Sequence, residues 1–87
     1  MKIDYTVSAS IVYDLSDAKE EIDSLLDLFD PTSEDVDEEM LNVGMAHLYF
    51  HINSAWNKRK LTDEQLSLIG GEDDSRLGEF PLDITPL

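Results

Sequence analysis

From Ile3 to Tyr13 the odd positions read Ile3, Tyr5, Val7, Ala9, Ile11 and Tyr13, and the even positions between them hold Asp4, Thr6, Ser8, Ser10 and Val12. Period-two alternation in β-favouring residues predicts a strand with one buried face. A second period runs through the same residues. Val7, Ile11, Leu15, Ala18, Ile22, Leu25 and Phe29 step by three or four, which would extend the next helix backwards over the strand. β propensity favours the strand.

Ser16 or Asp14 can cap a helix running to about Phe29, with Asp17, Glu20 and Glu21 in its first turns, where the helix dipole favours anions. Asp30-Pro31 stops it. At about 100° per residue, Ala18, Ile22, Leu25, Leu26 and Phe29 share one arc, and Glu20, Asp23, Asp27 and Asp30 fall opposite. Thr32 and Ser33 then open a second helix, with Asp35 and Glu38 as a further cap pair, continuing to Lys58 or Lys60. Leu41, Met45, Leu48, Ile52, Ala55 and Trp56 form one apolar face of it and Met40, Val43 and Phe50 another. They leave a narrow polar strip with Asn42, Asn53 and Asn57, and a helix apolar on two sides belongs at the centre of a fold.

Thr62 and Gln65 make a capping box for a short third helix that Gly70-Gly71 ends. In the last segment Phe80, Leu82 and Ile84 alternate as an edge strand would, and Pro81 and Pro86 keep it out of a central position. These elements define one domain over residues 1–87, mainly α (small α+β). A central long helix is packed by an N-terminal acidic helix and a short third helix, with the N-terminal strand paired to the extended C-terminal segment. The alternative is an all-α three-helix bundle.

Composition narrows the function. The chain has 20 Asp and Glu against 6 Lys and Arg, a net charge of −14, and no cysteine. Lack of cysteine excludes disulfides, thiolate zinc sites and thiol nucleophiles and suits the cytoplasm. The start, MKIDYTVSAS, carries an acid at position 4 and no long apolar run. The apolar runs elsewhere are far short of the ~20 residues of a membrane span, so neither export nor a membrane is expected. Residues 1–43 hold 13 acids and 2 bases, residues 44–87 only 7 acids and 4 bases. Such a field repels nucleic acid and anionic lipid and draws basic surfaces, so the expected partner is a basic protein, of the kind that binds nucleic acid or cuts it.

The specific chemistry is sparse. His47 and His51 in HLYFH have the spacing of two imidazoles sharing a metal, but Leu48 stands where HExxH has its general base and no third ligand follows. Histidines hydrogen-bonded within the fold are the better reading, and no metal or cofactor is expected. PTSEDVDEE lacks the glycine and the spaced acid of an EF-hand. The serines sit in no nucleophile elbow, and Gly44, Gly70, Gly71 and Gly78 form no phosphate-binding loop. Trp56 with Asn53, Asn57, Lys58 and Arg59 resembles a recognition patch, although Trp56 fits the core and Lys58, Arg59 and Lys60 fit the helix end.

What stands out is the acidic segment Asp14–Glu39, with 12 carboxylates and Lys19 as its one base. A small domain needs a net charge of only about 2–8 for solubility, so this excess has a use. The expected function is a non-enzymatic acidic interaction protein, an inhibitor or decoy that occludes a basic surface. Its contacts are Asp17, Glu20, Glu21, Asp23, Asp27, Asp30, Glu34, Asp35, Asp37 and Glu38. Phage-encoded inhibitors and toxin immunity proteins share this size and acidity, a likeness of composition alone. The alternatives are a structural or oligomerisation module using exposed apolar residues such as Leu28, or a metal-binding protein using His47 and His51.

Overall fold

Val7, Ser10, Asp14 and Ala18 form one buried line, three or four residues apart, on a helix that begins much earlier than β propensity suggests. A computed structural model of the chain describes residues 2–69 and 75–85. It places helix α1 at Tyr5–Leu28, α2 at Glu38–Lys58 and α3 at Asp63–Leu68, followed by a 3-10 turn at Ser75–Gly78. The fold is mainly α, and among the described residues there is no strand.

The strand expected over Ile3–Tyr13 is therefore corrected to helix, as the alternative all-α reading has it. A strand would bury Tyr5, Val7 and Tyr13 together. Instead Val7 is fully buried while Tyr5 and Tyr13 are 87% and 65% exposed, so the three-and-four spacing overrides local propensity. The early start is stabilised from elsewhere in the chain. The N-cap residue Asp4 makes no side-chain cap bond within α1. Its Oδ2 accepts from the Asp63 N–H at 3.0 Å, and Asp63 Oδ1 accepts from the Val7 N–H at 3.0 Å. The N-termini of α1 and α3 thus satisfy each other's orphan amides.

The second helix also starts elsewhere than expected. The Thr32 N–H and hydroxyl both donate to Asp30 Oδ1, and the Ser33 N–H donates to the Asp30 carbonyl, which commits 30–33 to a turn. Asp37, not Thr32, Ser33 or Asp35, caps α2 by accepting from the Met40 N–H, and Glu38 and Glu39 occupy its first turn. The capping box of Thr62 and Gln65 on α3 is present as expected. Gly70-Gly71, the expected end of that helix, lies outside the described residues.

α2 is the central element, packed by α1 and by the 3-10 turn, while the short α3, expected against α2, packs on α1. Pairs Asp14 with Lys58, Glu21 with His47, and Leu25 with Gly44 show that α1 and α2 are antiparallel. At Gly44 the Leu25 side chain packs into the space that a β-carbon would take. Leu48 and Ala55 are buried in this contact, whereas Ile52, expected in the core, is 41% exposed.

The C-terminal segment is not the edge strand expected for Phe80, Leu82 and Ile84, whose side chains are exposed. Polar clamps hold it to α2 instead. Asn53 donates to the Gly78 carbonyl at 3.0 Å, and Asn57 donates to the carbonyls of Leu77 and Glu79 at 2.7 and 2.8 Å. Asp83 accepts from Trp56, Arg59 and Lys60 at 3.1, 2.7 and 2.8 Å. The asparagine strip is thus the seat of the tail.

Candidate acidic interface

Glu20, Asp23 and Asp27 follow one another by three or four residues, so a helix stacks them along one side at intervals of about 4.5–6 Å. These three are exposed on the side of α1 turned away from the Val7–Ala18 line, whereas Asp17, also exposed, lies beside that line, 3.9 Å from His51 of α2. Asp30, Glu34, Asp35, Asp37 and Glu38 continue the exposed carboxylates through the connection into α2, while Glu21 is half-buried beside His47. Two of them have local tasks, Asp30 in its turn and Asp37 as a cap. The Thr32 hydroxyl and then its N–H hold the Asp30 carboxyl below its ordinary range.

Three of the six bases, Lys58, Arg59 and Lys60, are engaged elsewhere. Arg59 and Lys60 share Asp83, and Arg59 also lies over the Trp56 ring at 3.7 Å from its centroid. Lys58, expected as an exposed helix-end charge, is wholly buried, its ammonium 2.7 Å from Asp14 Oδ2 and donating to Ser10 Oγ at 2.7 Å. The Asp14 contact misses hydrogen-bond angles, so it is an electrostatic pairing, and the directed bond goes to Ser10. Ser10 accepts from a lysine whose charge Asp14 balances, an arrangement that fixes α1 against α2 and does not supply a base for the hydroxyl. Among the described residues, no Lys or Arg forms an ion pair with Glu20, Asp23 or Asp27.

The two histidines face acids across the helix pair. His47 Nδ1 is 3.9 Å from Glu21, and His51 Nδ1 is 3.7 Å from Asp14 and 3.9 Å from Asp17. Among the described residues these donors form no metal-holding group of three or more, and His51 Nδ1 has no hydrogen-bond partner. Sequence reasoning missed the pairing of Asp14 with Lys58, although once the helix is extended back to Tyr5 the pattern puts Asp14 on its buried line. The anchoring of the tail at Asp83 and the mutual capping of Asp4 and Asp63 join residues far apart in the chain and carry no local signal.

No helix among the described residues is long and apolar enough to cross a membrane. The chain matches no protein-family model, no curated protein and no solved structure.

Proposed function

We propose that the protein is a non-enzymatic acidic interaction protein that occludes a basic surface, of the kind that binds nucleic acid, on a partner protein. The observation that supports this is the exposed carboxylate row of Glu20, Asp23 and Asp27 on one helix side, flanked by Asp17 and continued by Asp30, Glu34, Asp35, Asp37 and Glu38, while Lys58, Arg59 and Lys60, three of the chain's six bases, are occupied elsewhere. A row held on a helix is pre-organised, so lysines and arginines of a groove can meet it without ordering it first. Glu21 sits at its inner edge and contributes field more than contact.

The test is capture on the immobilised chain, followed by competition. Nucleic-acid-binding proteins held at about 0.1 M salt should elute at about 1 M, where the Debye length falls from ~10 to ~3 Å. Duplex DNA should displace them, since both ligands would need the same cations. The variant Glu20→Lys, Asp23→Lys, Asp27→Lys should keep its helical circular dichroism and capture none. Capture unaffected by DNA and by the triple reversal would overturn the reading.

A further inference from the structure

α1 carries a second exposed face, and it has the opposite character. Ile11 and Leu15 line an apolar groove with Ile52, Ala55 and Trp56 of α2. Ile22 and Leu26 lie 7 and 11 residues beyond Leu15, so at about 100° per residue they fall within about 20° of it. Leu41 stands 11 residues before Ile52 and repeats that alignment on α2. One side of the helix pair is thereby an apolar strip along its length. Leu15 is 51% exposed, Leu26 68%, and Ile22, Leu41 and Ile52 about two-fifths. Asp27 points elsewhere, Lys19 and Asp23 border the α1 line, and Arg59 lines the groove beside Ile11 and Leu15.

The structure points to a second copy of this chain as the occupant of that strip, and we infer a symmetric dimer formed face to face through it. Charge is the first argument. Two chains of net charge −14 repel each other wherever their acids meet, and a groove lined by Arg59 and by no carboxylate, with the neighbouring Asp83 already paired to that arginine, is where close approach costs least. Area is the second. The chain exposes 6636 Å², whereas a globular monomer of 9.9 kDa exposes about 5,200 Å². The excess of about 1,400 Å² is spread over the whole elongated surface, and an interface that takes the standard ~800 Å² from each partner would remove more than half of it. The buried apolar side chains among the described residues are only Val7, Ala18, Leu48, Ala55, Leu66 and Leu77, a small core for so long a helix pair. Pressing two helical hairpins together supplies a four-helix core by a self-complementary contact and turns both carboxylate rows outward.

The dimer does not depend on the proposed capture of basic proteins, and salt separates the two. Sedimentation equilibrium should give twice 9.9 kDa at concentrations on the order of 100 µM, unchanged or tighter at about 1 M salt, where capture is lost. Leu26→Lys, at a side chain already mostly exposed, should shift the mass toward 9.9 kDa with helical circular dichroism retained, and Ile22→Glu with Leu26→Glu should complete the shift. The triple lysine variant of Glu20, Asp23 and Asp27 should remain a dimer. A wild-type mass of 9.9 kDa at both salts, a dimer indifferent to the Ile22 and Leu26 changes, or a mass that climbs without limit would overturn the inference.

Discussion

Asp14 and Lys58 are buried together where α1 crosses the end of α2, and desolvation makes such a pair costly to break but of small net worth. Asp14→Ala should destabilise by ~3–5 kcal/mol, because it leaves the ammonium buried without its partner. Asp14→Leu with Lys58→Met should be near neutral or stabilising on the same denaturant melts. A mild single variant would show that the lysine swings out to solvent. Asp83 is the second telling residue. Bonds from Lys60, Arg59 and Trp56, in that order, hold its carboxyl well below the usual carboxylate range. A depressed value in the folded state stabilises the anchored tail above the unfolded value of ~3.9, and that contribution is lost as pH falls further. Trp56 emission should therefore hold steady from about pH 7 to about 4 and change only in stronger acid. A transition near neutrality would contradict the clamp, as would an Asp83→Asn variant with unaltered emission. Neither residue's role could be read from its neighbours in sequence, since each partner lies more than twenty positions away.

At the scale of elements, the legible features were those settled within a few residues. The capping box on α3, the central position of α2 and the stop after Phe29 follow from local chemistry, and the structure keeps all three. The illegible ones depended on distant contacts. Tyr5–Tyr13 fits strand and helix patterns alike, and what decides it is the packing of Val7, Ser10 and Asp14 against α2 and α3. Thr32 was a good cap by type, but the turn at Asp30 had already claimed it. The two apolar faces of α2 were visible, yet not which of their residues neighbours would cover. Leu48→Ala should cost ~2–5 kcal/mol, much of the ~4–13 kcal/mol total expected of a chain this size. Ile52→Ala, at concentrations too low for the dimer, should cost only about 1 kcal/mol, because its side chain is two-fifths exposed in the single chain. Equal costs in denaturant melts at dimer-forming concentrations would mean that Ile52 is covered in solution, as a dimer would cover it. Asn57→Ala, which from the sequence alone should be nearly silent, should instead loosen the tail, since two carbonyls lose their donor.

Over the whole molecule the chain sorts its surface by side. Its radius of gyration is 15.0 Å, against about 12 Å for a compact chain of this length, and its extents are 48 × 26 × 19 Å. Such a shape gives the carboxylate row and the apolar strip separate sides of the same helix. The acidity and its concentration in the first half were plain from composition, and so was the period that places Glu20, Asp23 and Asp27 opposite the core. That Lys58, Arg59 and Lys60 would be drawn to Asp14 and Asp83, away from this row, was not. The proposed occlusion of a basic partner requires that row to act as the recognition surface. The most direct measurement is the association rate of the wild-type chain and of the Glu20→Lys, Asp23→Lys, Asp27→Lys variant with a captured basic partner, across a salt series. The wild-type rate should fall steeply as salt rises, and the variant should associate at least about tenfold more slowly at low salt with little salt dependence. Equal rates and equal salt slopes for the two would mean that the acidic side is a solvated face and that recognition lies elsewhere.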